Sequence, residues 1–285
     1  MKNIIKLMRV KHWIKNFLIF LPAFFDGNVR ELNILSNLLI GFLSFCLISS
    51  IIYINNDLKD VEKDRVHEIK CKRPIASGAV SEKKAKIVIL ILVVVVVCLS
   101  FQIKCDHPFI AVAWALGYIV INVAYSMGMK NIPLVDIAIL AMGFIIRVFY
   151  GAAIANVSAS SWLCLTVMAF ALYMGIGKRR NELYKVQDGR TRGVLKYYDV
   201  ELLDKDMTIV TTLGIVFYSL WAGTVVNNPY IIWTVPLVLF IIMRYEMIIK
   251  NNSYGDPVEV LLSDKILICL VILYGIAMAV LFYGF

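Results

Sequence analysis

The sequence predicts an all-α polytopic membrane protein, with nine transmembrane helices around a cytoplasm-facing cavity. Three observations carry this. Of 285 residues, 60% are hydrophobic and 17% charged, and the mean hydropathy is +0.79. Soluble domains run at roughly 45–50% apolar and about 25% charged. Apolar runs of span length, about 20 residues each, recur along the chain. The basic residues gather on alternate connections between those runs. Disordered, collagen-like, coiled-coil and ordinary soluble α/β chains are excluded.

The spans fall at about 9–26, 34–54, 86–103, 108–127, 132–155, 160–177, 207–227, 230–249 and 265–284. The run Ile87–Phe101 is almost unbroken Ile, Leu and Val, too long for a buried strand. The first span is unusual, because its purely apolar part is only Phe17–Phe25. It follows a basic start, as a signal peptide does, but no A-x-A cleavage pattern follows it. Lys11, Lys15 and Asn16 therefore sit at membrane depth or its inner edge. They either face a cavity or, for the lysines, snorkel to the interface.

With nine spans, the N-terminus and the loops at 55–85, 128–131, 178–206 and 250–264 share one side. With their flanks they hold 26 of the 29 Lys and Arg residues. Arg30 and Lys104 lie opposite, and Arg147 lies inside a span. The positive-inside rule puts the N-terminus in the cytoplasm and the C-terminus outside. The chain is expected in the cell (inner) membrane as a multi-pass protein. The net charge of +9 then reports topology rather than a nucleic-acid partner. The six cysteines are scattered, with no CxxC and no metal spacing. The oligomeric state is left open, a homo-oligomer included.

Chemistry concentrates on the cytoplasmic side. Asn56, Asp57, Asp60 and Asp64 share one face if the segment is helical. Carboxylates so placed repel one another unless a cation sits among them, and hard oxygens suit Mg²⁺. Lys70, Lys72 and Arg73 follow, with Arg73 entering the turn Pro74-Ile75-Ala76-Ser77-Gly78. An Arg held by a turn suits forked contact with a phosphate, whereas Lys70 and Lys72 read as positive-inside charge. Tyr125, Ser126 and Lys130 occupy the next short loop, and Asp136 opens the fifth span. Arg147 is the deepest charge and needs a partner.

A third cluster is Lys178-Arg179-Arg180-Asn181-Glu182. Three adjacent cations fan around a helix, so they cannot all face one site. Lys178 and Glu182 are spaced to pair. The loop goes on through the turn Asp188-Gly189 to Arg190, Arg192, Tyr197 and Tyr198. The fourth loop, with Gly255, Asp256 and Asp264, has weaker functional content. His67 lies near the acidic motif. No P-loop, GxSxG or HExxH is present. What remains is an acidic metal stripe with phosphate-type cations facing the cytoplasm. It points to transfer chemistry on a phosphorylated donor, with a lipid as one partner.

The string Asn56-Asp57-x-x-Asp60-x-x-x-Asp64, followed by Arg73-Pro74-Ile75-x-Ser77-Gly78, resembles the signature of the UbiA prenyltransferase superfamily. The chain is most similar to the branch of polyprenyl-phosphate phosphoribosyltransferases, which includes the decaprenyl-phosphate enzymes. That likeness rests on Arg9 to Asn16, on Tyr125-Ser126 with Lys130 and Asp136, on Arg147 with Gly151, and on Gly177 to Leu183. Where the first motif often continues His-Pro, this chain has His67-Glu68.

The resemblance implies a single UbiA-type transmembrane domain over 1–285, with Mg²⁺ as cofactor. The donor it implies is phosphoribosyl diphosphate, and the acceptor a polyprenyl phosphate in the bilayer. Asn56, Asp57, Asp60 and Asp64 would hold the metal. Arg73, Lys130, Lys178 and Arg179 would hold phosphates, and Lys15 with Asn16 would bind the lipid phosphate or the ribose 5-phosphate. Tyr125, Asp136, Arg147 and Glu182 complete the expected substrate contacts. Asp57, Asp60, Asp64 and Lys130 are the expected catalytic residues.

Aromatic prenyltransferases of the superfamily carry a second DxxxD motif, but here the matching region offers Lys130 and a single Asp136. A prenyltransferase acting on an aromatic acceptor is therefore the second reading. A transporter of a phosphorylated solute would also place Lys and Arg in the membrane. It has no use for a metal stripe, and no paired halves with broken helices are visible.

Overall fold

The computed structural model describes residues 2–68, 70–184, 193–224, 228–251 and 256–284. Among the described residues every regular element is a helix. The helices are α1 (Lys2–Met8), α2 (Leu21–Asp26), α3 (Leu32–Lys59), α4 (Val61–Arg65), α5 (Glu82–Ser100) and α6 (Pro108–Met127). They continue with α7 (Val135–Ala155), α8 (Ser161–Tyr184), α9 (Val200–Thr224), α10 (Val235–Asn251), α11 (Pro257–Ser263) and α12 (Lys265–Tyr283).

Seven helices among the described residues are long and apolar enough to cross a membrane. They are α3, α6, α7, α8, α9, the stretch Pro229–Lys250 and α12. Phe109, Trp233 and Phe240 stand exposed on such elements, as lipid-facing side chains do. Two predicted spans lie outside that set. The helix at the third, α5, opens with Glu82, Lys83, Lys84 and Lys86 and becomes apolar only from Ile87.

The first predicted span is not a continuous α-helix. Val10–Phe20 is a 3₁₀ helix of 11 residues, and α2 follows it directly. Runs of 3₁₀ beyond three or four residues are uncommon, so packing must hold this one. With three residues per turn, Trp13, Asn16 and Ile19 form one row. Trp13 Nε1 donates to Ser50 Oγ at 3.1 Å, and Asn16 Nδ2 donates to Cys46 Sγ at 3.1 Å. Below them, Ile19 meets Gly151 on α7. A Cβ at Gly151 would lie 1.9 Å from the Ile19 carbonyl oxygen. Gly27, at φ +85°, then ends α2 in the left-handed region that favours glycine.

The chain divides into two compact units. One comprises residues 1–126 and 146–158, the other 127–145 and 159–285. In the first, the core gathers Ile19, Leu38, Phe45, Ile48, Tyr118, Tyr150 and Ile154. A second cluster joins Leu7, Leu47, Ile54, Ile75 and Val80. In the other unit α8 packs along α9 and α10 on α12, with Ile248, Ile249, Val260 and Leu267 buried together. Asp264 caps α12 by accepting from Leu267 N–H at 2.7 Å, and Asp256 caps α11.

Gly151→Ala should lower the melting temperature in detergent sharply, because the new methyl meets backbone that cannot rotate away. Overpacking of this kind costs about 1–3 kcal/mol, occasionally more. Gly41→Ala should cost less: its nearest atom is the Ile154 Cδ1 side-chain tip, at 2.4 Å. Melting curves of the two variants decide it, and equal losses would remove the 3₁₀–α7 contact as the reason for glycine.

Candidate active site

The acidic stripe forms at the C-terminal end of α3 and runs into α4. Asp60 interrupts the helix, yet the i to i−4 pattern continues across it. Asp60 N–H reaches Asn56 O at 3.0 Å, and Asp64 N–H reaches Asp60 O at 2.8 Å. Asp57 and Asp64 are buried and meet a common partner, whereas Asp60 is half-buried and Asn56 faces Ser126. The turn after the short 3₁₀ stretch Lys70–Lys72 returns the chain to these carboxylates. Ser77 N–H bonds Arg73 O, Val80 N–H bonds Pro74 O, and Gly78 takes φ +76°.

Arg73 Nη1 consequently reaches Asp57 Oδ1 at 3.0 Å and Asp64 Oδ2 at 2.6 Å. Arg9 Nη2 reaches the same Asp57 oxygen at 2.6 Å, and its guanidinium lies 4.9 Å from the Tyr53 ring centre. Ser126 Oγ donates to Asn56 Oδ1 at 2.7 Å. Arg9 had no role of its own in the sequence, where it entered only as the start of the stretch Arg9 to Asn16 that carries the family likeness. Its left-handed φ of +52° is what turns it onto Asp57. No group of three His, Cys, Asp or Glu side chains among the described residues could by itself hold a metal. The pair Asp57 and Asp64 nevertheless converges on one cationic nitrogen. Hard oxygens aimed at a common point fit Mg²⁺, which is usually held by one or two carboxylates plus water and substrate phosphates.

His67 bonds Asp64 O through its own N–H and accepts Lys70 N–H on Nδ1. Desolvation first, then the nearby Lys70 charge, pushes its pKa below the ordinary histidine value. It is therefore a neutral acceptor at pH 7.

Deeper in the same unit, the structure brings Asn16 and Arg147 together. Arg147 Nε donates to Asn16 Oδ1 at 2.7 Å, and Nη2 donates to Tyr118 OH at 3.0 Å. Its guanidinium lies 4.7 Å from the Tyr118 ring centre and 5.1 Å from that of Phe45. Asn16 is fully buried and Arg147 is 4% exposed. Lys15, the neighbour of Asn16, is half-buried and Lys11 is exposed.

The second unit holds the other cations. Asp136, in the first turn of α7, and Arg179, on α8, are both fully buried and form an ion pair through Nε and Oδ2. Arg179 Nη1 also reaches Glu182 Oε2 at 2.7 Å. Tyr198 OH donates to Asp136 Oδ1 at 2.9 Å and accepts Leu134 N–H at 2.6 Å. Burial first, then the hydrogen bond to Asp136, holds the Tyr198 phenol up at about 12, so it stays protonated as donor. The fan of three cations is thus resolved in part. Arg179 points to Asp136, Arg180 Nε pairs with Asp204 Oδ1 at 2.5 Å, and Lys178 is half-buried.

Lys130 is half-buried in the short turn Met129–Asn131, and Tyr125, in the first unit, is half-buried on α6. Arg244 forks onto Asp264 at 3.1 and 2.6 Å, which gives that loop charge a structural task. Asp188, Gly189, Arg190, Arg192 and Gly255 lie outside the described residues. Arg9, Tyr118 and Asp204 are contacts that spacing alone did not assign, and Tyr198 was named only with its loop.

The UbiA prenyltransferase family model matches residues 23–257. The chain belongs to the UbiA prenyltransferase family. Within it, the chain is 33% identical to the decaprenyl-phosphate phosphoribosyltransferase of Corynebacterium glutamicum, over 98% of this chain and 86% of that protein. It is 32% identical to the enzyme of the same name from Mycolicibacterium smegmatis, over 93% and 87% of the two chains. In fold it matches a UbiA homolog from Archaeoglobus fulgidus solved with GPP and Mg²⁺. There the TM-score is 0.72 at 18% identity, covering 97% of this chain and 99% of that one. The UbiA assignment fits the all-helical architecture of the described residues.

Proposed function

We propose that this UbiA-family protein is a Mg²⁺-dependent polyprenyl-phosphate phosphoribosyltransferase. It transfers 5-phosphoribose from phosphoribosyl diphosphate to a polyprenyl phosphate and releases diphosphate. The observation that carries the reading is the near full-length likeness to two enzymes of that name. The state of Asp136 weighs against the aromatic prenyltransferase alternative. The one carboxylate in the region of the second acidic motif is buried against Arg179 and Tyr198, so it is spent on an ion pair rather than a metal.

Asn56, Asp57, Asp60 and Asp64 would hold Mg²⁺, which when bound draws charge from the leaving diphosphate. The reaction is a substitution at ribose C1. The bond from C1 to the diphosphate oxygen breaks, and its electron pair leaves with the diphosphate. An acceptor phosphate oxygen forms the new bond to C1. That oxygen is already anionic, so no general base is required, in keeping with a neutral His67. Arg73 binds the diphosphate, while Lys130, Lys178 and Arg179 hold phosphate in the second unit, Asp136 and Glu182 fixing Arg179. Tyr125 contributes to substrate contact from α6. Asn16 and Arg147 hold the 3₁₀ segment in place so that Lys15 meets a phosphate. Catalysis is then mainly positioning and charge stabilisation.

Purified protein incubated with Mg²⁺, phosphoribosyl diphosphate and a polyprenyl phosphate should yield a lipid heavier by one phosphoribosyl group. A prenylated aromatic formed from a polyprenyl diphosphate, with no phosphoribosyl lipid, would establish the alternative instead.

We place the protein in the inner membrane as one domain over 1–285, with nine spans, an internal N-terminus and a cytoplasm-facing cavity. A reporter active only in the cytoplasm, fused after Phe285, should give no signal. A strong signal would mean one span fewer or more, and the short first one is the place to look.

A further inference from the structure

Arg73 covers the acidic pair. Its side chain is 28% exposed, against 3% and 4% for Asp57 and Asp64. One guanidinium nitrogen contacts both carboxylates, at the point where their oxygens converge. With Arg9 also on Asp57, two guanidinium charges balance two buried carboxylates. A divalent cation entering alone would sit beside both guanidiniums, and unscreened like charges at such distances repel strongly. A diphosphate changes the balance. It brings several negative charges and a forked acceptor for a displaced Arg.

We propose that Arg73 is an exchangeable counter-ion. It holds Asp57 and Asp64 until metal and diphosphate arrive together, and then transfers from the carboxylates to the diphosphate. Metal and diphosphate binding are thereby mutually dependent, which keeps the site from filling with metal alone. This rests on the assignment of the stripe as the metal site.

Melting of the detergent-purified protein tests it, with Mg²⁺, inorganic pyrophosphate, or both, at matched ionic strength. A ligand that binds the folded state raises the melting temperature. The wild type should rise by at least about 3 °C with the pair and by little with Mg²⁺ alone. Arg73→Gln should rise with Mg²⁺ alone, measured against its own baseline, and pyrophosphate should add little. An Arg73→Gln protein that still needs pyrophosphate would overturn the exchange. So would a wild type that rises as much with Mg²⁺ alone as with the pair, a result that does not depend on the variant folding. Failure of the underlying metal reading looks different: neither protein would respond to Mg²⁺ in any condition.

Discussion

Asp60→Asn should abolish measurable transfer while leaving a folded protein. Asp60 sits between the two buried carboxylates in sequence and is itself half-buried at the break between α3 and α4. Its amide keeps the size and the backbone hydrogen bonds but loses the charge. The Asp57–Arg73–Asp64 bridge remains to hold the fold, so melting should move by less than about 1 kcal/mol in stability terms. Loss of one carboxylate from a site that stabilises a leaving diphosphate should cost on the order of 1000-fold in rate, about 4 kcal/mol. Chelation of divalent metal should stop the wild type likewise, and added Mg²⁺ should restore it. Asp57→Asn is the less informative change, since it strips Arg9 and Arg73 of a shared partner and lowers stability as well. Near-normal phosphoribosyl transfer by Asp60→Asn at ordinary Mg²⁺ would take the stripe out of the mechanism.

Lys130→Ala should reduce kcat/KM at least about 100-fold, equivalent to about 2.7 kcal/mol of transition-state binding. Lys130 stands in a three-residue turn, after Gly128 at φ +149°, in a loop with little other charge. The segments 55–85 and 178–206 carry many more basic residues, enough to set orientation by themselves, so this lysine is scarcely needed for topology. Lys84, exposed in the first turn of α5, is the matched control, and Lys84→Ala should change little. Equal effects of the two substitutions would show that the basic residues act as a general field rather than as assigned phosphate contacts.

The apolar runs are local properties, and they located the long helices, although α8 runs on to Tyr184, seven residues past the expected 177, and α9 starts at Val200, seven before the expected 207. The stripe at Asn56–Asp64 was legible because its spacing is internal to one segment. Contacts made across the chain were not. Arg73 and Asp57 are 16 residues apart, and Tyr198 and Asp136 are 62 apart, so no spacing rule joins them. The three cations at 178–180 illustrate the boundary. Fan geometry showed that they must diverge, but Asp136 and Asp204 decide which way Arg179 and Arg180 turn. The helix type of Val10–Phe20 was hidden for the same reason. It depends on the side chains of Trp13 and Asn16 meeting Ser50 and Cys46, and on the Ile19 backbone meeting Gly151.

That tightly wound segment also settles a question of reach. A 3₁₀ helix advances about 2.0 Å per residue against about 1.5 Å for an α-helix. Eleven residues in the first form and six in the second extend roughly 31 Å, close to the roughly 30 Å of bilayer hydrocarbon. An α-helix of the same length would fall about 5 Å short. In the nine-span topology proposed above, the stretched winding would let a short stretch that carries Lys11, Lys15 and Asn16 match the depth that others reach with more residues. Relaxing it to α-helical pitch would draw Lys15 and the end of α2 closer together by about 3 Å, roughly half the height of one helical turn.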